Sequence, residues 1–544
     1  MLLRLQSTHL PYQEQHHRMN SRHPDLQLSP ADTAKSGELP ARRQVDSLST
    51  ELSASEPFEI TGDIQRPDKP EEACGVFGVY APDENVAKLA YFGLFALQHR
   101  GQESAGIATF EADEVHLHKD MGLVTQVFNE SILLELPGCL AVGHTRYSTT
   151  GSSRVVNAQP AVVPARLGKL ALAHNGNLVN TISLREELLR SHCNLLTTTD
   201  SELIAFAIAQ EVNQGKDWLE GAISALHRCE GAFSLVIGTP VGLMGVRDPN
   251  GIRPLVIGVL PKTPLTPVPR YVLASETCAL DIIGADYLRD VEPGELVWIT
   301  NEGLASFHWT NRSERKLCIF ELIYFARPDS VMLESESLYS YRRRLGEQLA
   351  VEAPVIADLI LGVPDSGIPA AIGYAHASGI PYAEGLIKNR YVGRTFIQPT
   401  QSMRESGIRM KLNPLKDVLV GKRVVIVDDS IVRGTTSYKI VKALRDAGAT
   451  EVHMRISSPP VTHPCFYGID TDNQDQLVAA TMSVAEIRDQ IGVDTLAYLS
   501  WKGMLNATQE DPLSFCSACF TGDYPIPVPE RVKRSKLILE KAVL

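Results

Sequence analysis

The run Val424-Val425-Ile426-Val427-Asp428-Asp429-Ser430-Ile431-Val432-Arg433-Gly434-Thr435-Thr436-Ser437 constrains the fold of this chain more than any other stretch. Four β-branched apolar residues in succession are too short and too stiff for a buried helix. They read as a strand covered on both faces, the habit of parallel sheets. Two aspartates follow at once, then a turn of small residues, then a helix expected over 438–447 and closed by Gly448. A strand that ends in such a loop and opens a helix offers free N–H groups and a positive dipole end to an anion. The hydroxyls of Thr435, Thr436 and Ser437 add donors. Asp428 and Asp429 cannot bind phosphate, so they suit sugar hydroxyls or a metal ion. An Asp-Asp pair alone is more often a solvated strand end beside a helix cap. The whole run favours a ribose that carries a phosphate.

Bulk properties narrow the rest. A chain of 544 residues exceeds one core, so two or three domains are expected. The net charge of −12 argues against a nucleic-acid partner. No apolar run approaches the roughly 18 residues of a membrane span. Nine cysteines in a chain of this length do not make a secreted disulfide scaffold and point to a reducing compartment, the cytoplasm, with a plastid as the alternative. Residues 1–73 are rich in Ser, Pro, Gln and His and lack periodicity, so a disordered extension is expected there. Its first residues are basic, as targeting segments are, but Asp25, Asp32, Glu38 and Asp46 break that pattern downstream.

Order is expected from Cys74, which opens a strand of alternating apolar residues ending near Tyr80. Four polar segments follow apolar ones: 97–104 with His99 and Arg100, 143–149 with Arg146 and Thr149, 174–177 with Asn175 and Gly176, and 198–202 with Asp200. Each reads as a turn, and together they suggest one pocket rim. Taken singly, Arg146 is a surface charge, Asp200 a helix cap and Asn175-Gly176 a hairpin turn. In this order after Cys74 they resemble the class II glutamine amidotransferases, whose fold is an α+β N-terminal-nucleophile domain of stacked sheets between helices. The resemblance implies that Cys74, freed as the N-terminus, attacks the glutamine amide, with its own α-amino group as base. It implies further that Asn175 and Gly176 hold the oxyanion and that Arg146, Asp200 and Thr149 bind glutamine. Residues 1–73 would then be a propeptide cut before Cys74, and residues 74–300 the amidotransferase domain. The turn at 247–255, with Arg247 and Arg253, reads as structural.

The C-terminal half, 301–521, contains a second strand–loop–helix, Leu359 to Gly367 before a helix over 368–378. With 424–437 it resembles the type I phosphoribosyltransferases, an α/β fold. That resemblance implies phosphoribosyl diphosphate on Asp428, Asp429, Ser430, Arg433, Gly434, Thr435, Thr436 and Ser437, with Mg²⁺ near Ser366, Asp428 and Asp429. Between the two loops, residues 388–411 hold six basic residues and one acidic residue, so Lys388 and Arg390 are expected in a cationic loop over the polyanion. Two such halves in one chain match a family that hydrolyses glutamine and passes the ammonia to C1 of phosphoribosyl diphosphate. The products are 5-phosphoribosylamine, glutamate and pyrophosphate, and the reaction opens purine synthesis. The family implies purine nucleotide inhibitors and a homotetramer. Rival readings are an amidotransferase with another sugar-phosphate acceptor and a non-catalytic regulator.

Cys516-Ser517-Ala518-Cys519 is a CxxC, a pattern shared by zinc, redox and iron–sulfur sites. One subgroup of the resembled family has a propeptide and a [4Fe–4S] cluster, which the resemblance assigns to Cys278, Cys465, Cys516 and Cys519. Cys139, Cys193, Cys229 and Cys318 are left as core or incidental thiols. A tail helix is expected over 522–544.

Overall fold

The computed structural model describes residues 74–147, 152–262, 270–333, 336–389, 412–471 and 473–530. The extension expected over 1–73 lies outside the described residues, as do Thr149, Arg390 and most of the cationic loop. Residues 522–530 are not helical, because Pro525, Pro527 and Pro529 each remove a helix donor; the remainder of the expected tail helix lies outside the described residues.

Between Gly75 and His308 the chain builds two antiparallel sheets from β1 (Gly75–Tyr80), β2 (Ser104–Glu111), β3 (Glu114–Met121), β4 (Leu140–Arg146), β5 (Ala161–Ala165), β6 (Gly168–Leu178), β7 (Gly231–Thr239), β8 (Gly242–Arg247), β9 (Val256–Val259), β10 (Tyr271–Ala274), β11 (Asp286–Asp290), β12 (Glu295–Thr300) and β13 (Gly303–His308). One sheet runs β11-β9-β10-β1-β4-β2-β3, the other β13-β12-β8-β7-β6-β5. Their facing sides share a core of Val76, Val142, Ala171, Ala173, Val236 and Leu273. The sheets approach so closely that a Cβ on Gly78 would lie 2.5 Å from the Val236 side chain. Helix Val86–Ala96 covers the outer face of the first sheet, and helices Asp200–Asn213 and Trp218–Leu226 that of the second. This is the stacked-sheet architecture that the amidotransferase resemblance implies. Because β13 pairs with β12, the second sheet extends past the expected boundary at residue 300.

Two polar segments expected as turns are strand instead. β4 reaches Arg146 and β6 reaches Leu178, since Thr145 and Arg146 pair with Gly75 and Ser104, and Asn175 and Gly176 pair with Ser234 and Phe233. Their polar side chains sit at the buried ends of ladders.

The second half carries a parallel sheet of Leu359–Gly362, Arg423–Asp428, Glu451–Ile456 and Thr495–Tyr498, in that order. Val425 and Val427 face a core with helices Leu338–Glu352 and Ile368–Ser378, while Val424 and Ile426 face helices Thr435–Asp446 and Val484–Ile491. Both faces are covered, as the β-branched run requires. A short parallel ladder pairs Leu317 with Phe515 and Cys318 with Cys516, tying the start of this half to its end. No helix among the described residues is long and apolar enough to cross a membrane.

Candidate active site

Cys74 stands immediately before β1, a central strand paired on both sides, so its backbone is fixed from the next residue onward. Cys74, Arg146, Tyr147, Gln159, His174, Gly176, Thr199 and Asp200 line one pocket. Four expected residues therefore meet there. Asn175 lies between two of the lining residues on β6, and alternation points it, like Ala171 and Ala173, between the sheets, the side on which Val76 and hence Cys74 also lie. It is 1% exposed, and neither side-chain polar atom finds a partner among the described residues. A buried amide left open beside a pocket is costly unless something occupies it. Gly176 has φ +147°, and a Cβ there would collide with the Ala232 carbonyl, so only glycine fits.

The pocket separates charge. Arg146 donates to Glu103 Oε1 at 2.6 Å and is buried. Asp200 is not the helix cap: Thr199 caps that helix and accepts from Glu202 N–H, while Asp200 Oδ2 accepts from Leu178 N–H at 3.0 Å. Burial pushes the Asp200 carboxyl upward, but His174 and the bonds to Leu178 and Ser201 outweigh it and hold the group below the usual range. Burial dominates the Cys74 thiol and pushes it up to about 12 despite Arg146 nearby. The thiol donates toward the Tyr147 carbonyl at 3.4 Å.

The second site is built at the C-terminal ends of the parallel strands, where open α/β sheets bind ligands. Asp428 ends its strand, and Asp429 and Ser430 follow it; all three are buried. Helix Thr435–Asp446 begins three residues earlier than expected, capped by Gly434 at φ +82°, so Thr435, Thr436 and Ser437 form its first turn rather than a loop. Their N–H groups thus belong to the helix start that suits an anion. Ser366, from the loop after Leu359–Gly362, donates to Asp429 Oδ1 at 3.2 Å. The structure thereby brings Ser366 and Asp429 together with oxygen donors of the kind magnesium prefers. Arg433 bonds Gln476 at 3.0 Å, and exposed Lys388 pairs with Asp365 at 2.6 Å. Among the described residues no group of three or more His, Cys, Asp or Glu side chains is placed to hold a metal ion.

The cysteines correct one expectation. Cys465, Cys516 and Cys519 share a core cluster with Cys318, and all four thiols are free and electrostatically coupled. Cys278 packs elsewhere, in the core of the first sheet, with its thiol facing Ala96 O and Glu276. Cys318 takes the place beside those three that was expected of Cys278, brought in by the ladder that pairs it with Cys516. Four free thiols sharing one apolar core are donors of the type an iron–sulfur cluster takes.

A glutamine amidotransferase domain model matches residues 144–281, and a phosphoribosyl transferase domain model matches residues 343–457. An amidophosphoribosyltransferase of Synechocystis sp. is 72% identical over 492 residues, covering 90% of this chain and 98% of that protein. Amidophosphoribosyltransferase 2, chloroplastic, of Arabidopsis thaliana is 48% identical and covers 86% of this chain and 82% of that protein. The solved glutamine phosphoribosylpyrophosphate amidotransferase of B. subtilis, complexed with ADP and GMP, superposes with a TM-score of 0.78 at 47% identity, covering 84% of this chain and 98% of that one. With both site geometries in place and similarity over 90% of its length, this chain belongs to the amidophosphoribosyltransferase family of purine biosynthesis, a glutamine amidotransferase joined to a phosphoribosyltransferase.

Proposed function

We propose that Cys74 is the glutaminase nucleophile and becomes the N-terminus when residues 1–73 are removed. The observation that carries this reading is the pocket in which Cys74, Arg146, Gly176 and Asp200 converge from four distant segments. A thiol raised to about 12 by burial stays protonated at neutral pH, so it needs a base. The freed α-amino group, with an ordinary pKa near 8, takes the thiol proton and later gives it to the departing ammonia. The sulfur bonds to the amide carbon, and the Asn175 side chain and Gly176 N–H hold the oxyanion. Arg146 pairs with the glutamine carboxylate and Asp200 with its ammonium, with Thr149 alongside. Water then releases glutamate.

In the second half, the Asp428–Ser437 loop grips the 5-phosphate and ribose. Lys388 and Arg390 neutralise the diphosphate, and Ser366, Asp428 and Asp429 would hold Mg²⁺, which would offset its charge. Having only two carboxylates suits a magnesium ion that keeps water and substrate phosphate as its other ligands. Ammonia bonds to C1 as the C1–O bond breaks, and pyrophosphate leaves. Cys318, Cys465, Cys516 and Cys519 would hold a [4Fe–4S] cluster, whose role is to cross-link the chain rather than to carry electrons. We also propose purine nucleotide inhibition, a homotetramer, and a cytoplasmic or plastid setting, the last supported by the chloroplastic relative. Residues 74–308 and 309–521 are the proposed domain limits.

The test compares nitrogen sources. Cys74→Ala should abolish glutamine-supported formation of phosphoribosylamine and leave ammonia-supported formation intact. Loss of both, or retention of both, refutes the two-site reading. The mass of the active chain should place its first residue at Cys74.

A further inference from the structure

Four buried charges join the two halves, and the mechanism above uses none of them. Arg100 donates through Nε to the Cys74 carbonyl at 3.1 Å, through Nη1 to Glu276 at 2.5 Å, and through Nη2 to Glu321 Oε1 at 2.7 Å. The same Glu321 oxygen accepts from Arg253 Nη1 at 2.8 Å. Arg253 Nε donates to the Tyr467 carbonyl at 3.0 Å, within the loop that carries Cys465. None of the four side chains has any exposure, and two positive charges balance two negative ones. Arg253 Nη2 finds no partner among the described residues, and the Cys318 and Cys465 thiols lie close enough to couple to its charge.

A second set of contacts runs in parallel. Asn177 Nδ2 donates to the Phe466 carbonyl at 3.0 Å, and a Cβ placed on Gly468 would lie 3.1 Å from the Gly176 carbonyl. The loop 465–468 is thus fastened both to the strand end bearing Asn175 and Gly176 and, through Arg253, Glu321 and Arg100, to the Cys74 backbone.

We propose that Arg253 is a positioning residue for the glutaminase: through Glu321 and Arg100 it sets the Cys74 backbone against the cysteine-bearing loop of the other half. A guanidinium suits this task because its rigid fork reaches a carboxylate and a carbonyl in fixed directions at once. Buried ion pairs can often be replaced by apolar side chains without loss of stability, which leaves geometry as the role we assign to these charges. Since reacting groups must be placed to within a fraction of an ångström, a small shift of the Cys74 backbone slows glutamine attack, whereas ammonia supplied from solution does not need Cys74. The inference rests on Cys74 being the nucleophile.

The experiment uses the mature, iron-loaded full chain and three readouts: glutamine-supported turnover, ammonia-supported turnover and iron per chain. Arg253→Gln should lower glutamine-supported kcat at least tenfold with little change in KM, while ammonia-supported turnover and iron content stay within about threefold of the parent. Arg253→Lys, which keeps the charge, should recover at least half of the loss on a logarithmic scale. Glu321→Gln, nearly isosteric, should repeat the selective loss and decides the matter if Arg253→Gln does not fold. Parallel loss from both nitrogen sources, loss of iron in step with activity, or no selective loss in either variant overturns the proposal. Cys74→Ala, run alongside, separates the two levels. If it keeps glutamine-supported turnover the underlying reading fails. If it loses that turnover while the Arg253 and Glu321 variants do not, only the positioning role fails.

Discussion

Burial pushes the Cys74 thiol up to about 12, so under the proposed mechanism the base that takes its proton sets the pH dependence. If the α-amino group is the base, glutamine-supported kcat/KM rises with pH only until that amine is neutral, near pH 8, and then levels. A rate still climbing tenfold per unit through pH 10 would mean that the thiol itself, at about 12, supplies the limiting ionisation. Asp200 makes a second test at this scale. Asn in its place keeps an acceptor for Leu178 N–H but removes the charge proposed to pair with the substrate ammonium. Asp200→Asn should raise the glutamine KM about tenfold or more, equal to about 1.4 kcal/mol per decade of binding. Steady-state kinetics with varied glutamine reads this directly. Glu276 and Glu321 are the other informative carboxylates. Burial pushes both up, and the charges of His99 and Arg100 on Glu276, and of Arg100 and Arg253 on Glu321, pull both below the usual range. A depressed folded value means stabilisation that is complete above the unfolded value near 4.3 and lost as pH falls below it. Thermal unfolding should therefore hold its midpoint from pH 7 to about 5 and drop steeply under 4.3. A decline beginning near pH 6 would assign acid lability to other groups.

Elements differ in how much of them a sequence carries. The strand Arg423–Asp428, its loop and the helix Thr435–Asp446 were legible because everything that specifies them is local: branched apolar residues, then small ones, then amphipathic spacing. The helix start was misplaced by three residues because Thr435, Thr436 and Ser437 favour both loops and first turns. β4 and β6 were cut short for the opposite reason, since polar residues at buried ladder ends look like turns until their partners on other strands are known. The place of Cys318 beside Cys465, Cys516 and Cys519 was not legible at all. Its only sequence signal is an apolar segment, and its place beside Cys516 depends on a two-residue ladder between segments nearly 200 positions apart. The proposed cluster makes the choice testable: with iron loaded, Cys318→Ser should lose most of it and its visible absorbance, and Cys278→Ser should retain both. The reverse result would restore the sequence assignment. Helix pairing offers one stability test. Gly346 lets helix Leu338–Glu352 lie against helix Ile368–Ser378, and a Cβ there would collide with the Ala370 carbonyl. Gly346→Ala should destabilise by about 3 kcal/mol, the upper end for overpacking, as measured by denaturant unfolding.

At the scale of the molecule, the two halves were each recognisable, and their junction was not. Motifs report on pockets because a pocket's chemistry is carried by residue types. A junction is carried by pairings such as Arg100 with Glu321, whose members are ordinary residues until the fold brings them together. Similarity to whole relatives, with 98% of the Synechocystis protein covered, supports the same order of halves throughout that length.

The shared oxygen of Glu321 also bears on how such enzymes can be re-engineered. A gene fusion that cut after His308 and attached the glutaminase sheets to a foreign acceptor domain would keep every pocket residue. It would nevertheless leave Arg100 and Arg253 buried with their common carboxylate gone. Such an uncompensated interior charge typically costs about 3–5 kcal/mol. Chimeras should therefore carry the segment through residue 325 and an acceptor in place of the Tyr467 carbonyl. The natural splice point lies between the two matched domain models, after residue 281 and before residue 343.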